Sequence, residues 1–398
     1  MGLGSSEIGY IVSIIVLLCI SQCYAKRKVF NIIDFGATPD ERTDSSKALR
    51  AAWSEACANN GGGVILVPAV GRFLVLPVLL QGPCKGIIEL QVDGDLLASS
   101  HKAFAIGYSW FKFYGVNNLV IKGLGRFVGR GRTAWPYNTC KYGSCSRLPI
   151  TINLQSINNL RIRDITSVNS KLYHFNVHGC NDVVFDNVKV IAPGESPNTN
   201  GIHISKSTGV TIKNSFIATG DDCISFGRGS KDVKITNVHC GPGHGISIGS
   251  LGKFPDEPNI NGIIVSDSKF VGTTNGVQIK TWSKSYPSVV SNITFVNLEM
   301  YNVERPIMID QNYCPNNACK NNKVSVSRIQ IKDVKFENIW GTSSEHLAVT
   351  LKCSQVFPCQ GIVLNNINLV FNGSGSSTSI CQNVEGSASR PLRPPSCL

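Results

Sequence analysis

Four short phrases carry the side chains best suited to proton exchange: Asn198-Thr199-Asn200-Gly201-Ile202, Gly220-Asp221-Asp222-Cys223-Ile224, Gly243-His244-Gly245-Ile246 and Asn275-Gly276-Val277-Gln278-Ile279-Lys280. Asn200, Asp222 and His244 stand 22 residues apart. If the chain winds as a regular coil, they share one register on successive turns, about 4.8 Å apart per turn. A column of carboxylates and an imidazole at that pitch suits acid/base chemistry.

The elements that must position this column are legible as spaced repetition. Phrases ending in Leu160, Val183, Val210, Val233, Ile263, Ile293, Ile329 and Ile362 each open an alternating apolar run, as in Asp182-Val183 and Ser327-Arg328-Ile329. Their unequal intervals suit a solenoid whose turns share strands but differ in loops. The Leu-x-x-Leu-x-Leu phrase of leucine-rich repeats is missing. The pattern therefore predicts an all-β fold, a right-handed parallel β-helix of about ten coils. In the motif-bearing strands, Ile202, Ile204, Ile224, Phe226, Ile246, Ile248, Val277 and Ile279 would face the core. His203, Ser225, Ser247 and Gln278 would face outward, followed by Ser205, Gly227, Gly249 and Lys280. Asn, Asp and Gly are common at any bend, but turn chemistry does not ask for His and Lys.

Residues 8–20 form an apolar run, followed by a cleavage site after Ala25, which reads as a secretory signal over 1–25, too short for a membrane span. The remaining 26–398 reads as one domain. Its opening, 43–57, reads as an amphipathic helix N-capped by Asp44 that plugs the open end of the coil. The tail from Gly386, with Pro391, Pro394 and Pro395, reads as extended.

The formal net charge is +12. A basic secreted protein tends to meet polyanions. Nucleic acid is disfavoured because the basic residues are scattered, with no recognition motif, so an acidic polysaccharide is the better partner. The sequons at Asn292 and Asn372 agree with secretion. Of the 15 cysteines, Cys19 and Cys23 lie in the signal, and in that setting the close couples among the other 13 read as disulfides, not metal ligands. The expected pairs are Cys57–Cys84, Cys140–Cys145, Cys223–Cys240, Cys314–Cys319, Cys353–Cys359 and Cys381–Cys397, with Cys180 left as a buried thiol.

From Asp34-Phe35-Gly36-Ala37 through Asp310-Gln311-Asn312-Tyr313-Cys314, with the four motifs in this order, the chain resembles plant polygalacturonases of glycoside hydrolase family 28. Gly272-Thr273-Thr274-Asn275-Gly276 is similar to the pollen-type, exo-acting branch. The resemblance implies a secreted, monomeric cell-wall enzyme that hydrolyses α-1,4-galacturonan (pectin) with inversion and without a metal or other cofactor. It implies Asp221 as general acid, Asp222 as a water-activating carboxylate and His244 as a tuning or substrate-holding group. Lys280 and Tyr313 would hold the sugar. Inversion implies roughly 6.5–9.5 Å between acid and base.

Two positions depart from the family pattern. Asn200 stands where the family has a second water-activating Asp, and Gln278 where it has a substrate-gripping Arg. Both positions would still face the substrate. An amide cannot take the proton. Besides an impaired hydrolase, a non-catalytic pectin-binding wall protein and a hydrolase of modified pectin stay open, and a Ca²⁺-dependent lyase is a more distant alternative.

Overall fold

The structure, a computed structural model, describes residues 27–101, 108–138, 148–315 and 326–398. The expected signal lies outside these residues. The chain winds as a parallel β-helix. Eleven strands stack in sequence order into one sheet, from Val78–Gln81 to Thr378–Gln382. A larger sheet of nineteen strands turns a corner, because Asn181–Asp186 and Lys189–Ile191 both pair with the single longer strand Thr208–Ala218. The hydrophobic side chains of each turn fill the interior, and Ile202, Ile204, Ile224, Phe226, Ile246, Ile248, Val277 and Ile279 are all completely buried, as the alternation requires.

Register exposes one misread opener. Ile293 pairs with Val334, and Val334 with Ile362, whereas Ile329 lies opposite Ser288. What defines an opener is a residue with positive φ just before the inward apolar position, as at Asp182 (52°), Asp232 (51°) and Asn292 (57°). Asp333 (55°) plays that part, so Asp333-Val334 is the true repeat. Asn and Asp tolerate this left-handed backbone better than Arg does.

The capping helix runs Ser46–Ala58, later than the sequence suggests, because Asp40–Asp44 forms a strand paired to Arg72–Leu74. Ser45 is the N-cap residue, and the Asp44 carboxylate accepts the Ser46 N–H at 2.9 Å from one position earlier. Leu49, Ala52, Trp53 and Ala56 are buried against the first coils, and the Trp53 ring meets Phe113 edge-on at 5.8 Å. At the opposite end the tail is extended, as read, and is also hydrogen-bonded: Val384–Arg393 pairs with Cys359–Phe371. Pro391 sits on this exposed edge strand, where a missing N–H is tolerated.

Disulfides join Cys57–Cys84, Cys223–Cys240, Cys353–Cys359 and Cys381–Cys397, and Cys180 is a buried free thiol. Cys314 is disulfide-bonded. Cys140, Cys145 and Cys319 lie outside the described residues. No helix among the described residues is long and apolar enough to cross a membrane.

Candidate active site

The acid pair rides on the turn entering the Ile224–Phe226 strand. Three restraints fix it. Cys223, completely buried, is tied to Cys240 on the neighbouring sheet. Thr219 Oγ1 donates to the Asp221 carbonyl at 3.0 Å, and the His244 N–H donates to the same oxygen at 2.8 Å. Gly220 passes so close to the coil below that a Cβ there would lie 2.0 Å from the Ser196 carbonyl oxygen. Only glycine fits.

A cavity of about 300 Å³ opens over the pair, lined among others by Asn198, Asn200, Asp221, Asp222, Lys280 and Tyr313. His244 reaches the pair from the next coil, its Nδ1 3.4 Å from Asp221 Oδ1. Asn198 Nδ2 donates to Asp221 Oδ2 at 3.3 Å, and the Asp222 N–H donates to Asp221 Oδ1 at 2.7 Å. Asp222 lies deeper: Lys280 Nζ is 3.4 Å from its Oδ2, and Ser247 Oγ donates to its Oδ1 at 2.5 Å. Lys280 Nζ also lies 5.6 Å from the centroid of the Tyr313 ring.

Gln278 belongs elsewhere than expected. Its side chain is 2% exposed and does not line the cavity. Its Nε2 donates to Ser247 Oγ at 2.5 Å. Since an amide N–H can only donate, Ser247 must accept from Gln278 and hand its own proton to Asp222. Gln278 thus orients Ser247 behind the cavity and does not touch its contents. Asn200 does line the cavity, 6% exposed, with Nδ2 3.4 Å from Ser225 Oγ. Asn198 and Ser247 were not singled out in the sequence as partners of the acids. For Ser247, the alternation of outward positions was the available signal.

The electrostatics split the pair. Burial raises Asp222 above the usual carboxylate range; Lys280 opposes this, and the Asp221 charge adds to it. Burial works the same way on Asp221, but the His244 hydrogen bond and charge, the Asp222 N–H and Lys280 together hold Asp221 below that range. The hydrogen bond to Asp221 raises His244. Lys280 would be lowered by burial alone, yet the Asp222 charge and its other partners hold it above its ordinary value. Burial raises Tyr313. The surroundings thus favour a proton on Asp222 over Asp221, the reverse of the preference the resemblance implies for a donor at Asp221.

The spacing also differs from the expectation. One oxygen from each carboxyl and a His244 ring nitrogen lie within 4.8 Å of one another. That nearest-atom spacing is shorter than the roughly 6.5–9.5 Å between carboxyl groups that accommodates a water between acid and base. The same three groups could geometrically hold a metal ion. The Lys280 ammonium and the raised His244 already bring positive charge to both carboxylates.

Comparison with known proteins identifies the family and the fold. The Glycosyl hydrolases family 28 profile matches residues 57–390. The chain is 44% identical over 360 residues to an exopolygalacturonase from Platanus acerifolia, covering 90% of this chain and 94% of that one. It is 42% identical over 386 residues to a polygalacturonase from Gossypium hirsutum, covering 96% and 94%. Among solved structures, an endo-xylogalacturonan hydrolase from Aspergillus tubingensis superposes with a TM-score of 0.79 at 25% identity, covering 92% of this chain and all of the other. An exopolygalacturonase from Thermotoga maritima shares the fold at a TM-score of 0.71 and 18% identity, covering 90% of this chain and 91% of that one. The chain belongs to glycosyl hydrolases family 28.

Proposed function

We propose that the protein hydrolyses α-1,4-galacturonan, with the Asp221/Asp222 pair acting as one unit that holds a single proton. The observation that carries this reading is the pair itself: two adjacent carboxyls pushed in opposite directions, with a histidine on one and a lysine on the other. Asp221 is the more open of the two, its side chain 17% exposed against 5% for Asp222. It is assigned to the leaving glycosidic oxygen. Asp222, fixed by Ser247 and Lys280, is assigned to the water. Because the surroundings favour the proton on Asp222 over Asp221, the proton passes to Asp221 before cleavage. Asp221 then protonates the leaving oxygen, the glycosidic bond breaks, and Asp222 takes a proton from the water that bonds to the anomeric carbon. Lys280 and Tyr313 are assigned to the sugar. Asn200 contributes no second base, so the general-base help it would have added, typically about 10²- to 10⁴-fold, rests on Asp222 alone.

The setting proposed is the plant cell wall. A signal over 1–25, a single domain over 26–398 and exposed sequon residues Asn292 and Asn372 support it. The protein is proposed to act as a monomer without a cofactor. A second reading, a hydrolase of substituted galacturonan, is supported by the roomier lobe of about 670 Å³ beside the acid pair and by similarity to the xylogalacturonan hydrolase. The test is product analysis of the purified glycoprotein acting on polygalacturonate, esterified pectin and xylogalacturonan with chelator present. Saturated reducing ends support a hydrolase, and the preferred polymer decides between the readings. Unsaturated products that chelator abolishes, or binding without any cleavage, would reject both.

A further inference from the structure

We propose that the wider lobe of the groove is a subsite for carboxylate-bearing sugar residues, read chiefly by Arg228 and Lys253. The proposal deepens the galacturonan reading and rests on it. The lobe, about 670 Å³, shares Tyr173, His203, Gly227 and Ser250 with the acid cavity, so one saccharide can run through both.

Its charge is one-sided. Lys112, Arg228 and Lys253 line it, and among the described residues none of the three forms an ion pair with a carboxylate. The carboxylate in the lining, Glu257, is buried, and its two oxygens accept the Gly252 N–H at 2.7 Å and the Phe254 N–H at 3.0 Å. It closes its own loop. Arg228 lies 5.0 Å from the Phe254 ring centroid and Lys253 5.3 Å from that of Trp282, so aromatic faces hold both cations at the groove. His178, also in the lining, is pushed down first by burial and then by Lys206 and Arg228, as expected where positive charge lacks a counter-ion.

An uncompensated cationic cleft edged with aromatic rings suits an anionic saccharide: the guanidinium fork matches a carboxylate, and the rings match sugar faces. This placement also accounts for tolerance of an amide at 278. Gln278 is buried behind the acid cavity, so recognition of substrate charge shifts to a neighbouring part of the groove.

The test measures binding of a galacturonate hexamer and its fully methyl-esterified form to an Asp221→Asn protein, with and without Arg228→Gln or Lys253→Gln. Each of these two changes should weaken binding of the acid form about tenfold or more and leave the ester unchanged, and Arg228→Lys should recover part of the loss. Undiminished binding of the acid form, or equal losses for acid and ester, would overturn the subsite. Absence of hydrolysis by the unmodified protein, with the Arg228→Gln loss intact, would count against the hydrolase alone and leave the subsite standing.

Discussion

Two edges of the same coil are built on opposite plans. At the corner of the large sheet one backbone conformation recurs turn after turn on nearly one residue type: Asn187, Asn214, Asn237, Asp267, Asn297, Asn338 and Asn366 all have φ between 50 and 55°. Each amide donates to a side chain of a neighbouring turn: Asn187 to Asp164, Asn214 to Asp186 and Asn297 to Asp267, the others to asparagines. Asn237 donates to Asn214 at 2.9 Å, Asn338 to Asn297 at 3.1 Å and Asn366 to Asn338 at 2.9 Å. At the entrance to the small sheet, by contrast, one register position changes identity at each turn, from Asn200 to Asp222 to His244 to Asn275. There the groups are a carboxylate, an imidazole and two amides, each with a partner on another coil. A coil repeats a residue where only the backbone needs it and varies the residue where chemistry needs different groups. The prediction is that changes at the varying edge alter rate while changes at the repeating edge alter stability.

The largest expected effect is at Asp222. Asp222→Asn should lower hydrolysis of galacturonan by about 10² to 10⁴, and initial rates check it. The raised value of Asp222 means that ionising it costs stability as pH rises through its folded value. Thermal melting at neutral pH should therefore stay level or rise in this variant, which separates lost chemistry from lost folding. A rate near that of the parent would break the comparison.

Next is Asn200→Asp. It lines the acid cavity and should raise the rate at least roughly tenfold by adding a base. Since Asn-Gly is prone to deamidation, peptide mass analysis of residue 200 must accompany the kinetics. A confirmed Asn parent that is as fast as the variant would remove the missing base from the account.

A smaller change is expected at His244, whose value is raised by its bond to Asp221. Its stabilising contribution is fully present below the unfolded value of 6.5 and is lost as pH rises through the folded value. His244→Gln should accordingly lower the melting temperature at pH 5 more than at pH 8. It should also raise the Asp221 value and so displace the pH–rate profile, because Asp221 loses its main stabilising partner. A profile that does not move would exclude His244 from control of the pair's proton.

The smallest effect on rate is predicted at the ladder. Asn237→Ala removes an exposed hydrogen bond and places on a left-handed backbone a residue that tolerates it less well than Asn, which together should cost about 1–3 kcal/mol with turnover unchanged. Denaturant unfolding beside the activity assay reads both. A lowered rate with unchanged stability would reverse the assignment of the two edges.

Much of this was legible in the sequence. Period-two alternation sorted Ile202 from His203 and Ile279 from Gln278 because inward and outward faces are set by the backbone alone. What alternation could not say is how deep an outward side chain ends up. Gln278 faces away from the core and is still buried, because Ser247 and the His244 backbone cover it, with Nε2 3.5 Å from the His244 carbonyl oxygen. Arg328 was mistaken for Asp333 because both precede a β-branched residue, and only φ separates them. Which of the two carboxyls the surroundings favour for a proton was out of reach. It depends on distances of a few ångströms between groups brought together from different coils.

The most direct test compares the unmodified protein with Asp221→Asn in reducing-end release from polygalacturonate, with the fold of both checked by melting. The account predicts measurable release by the first and a loss of about 10² or more in the second. Equal release by the two proteins would contradict it.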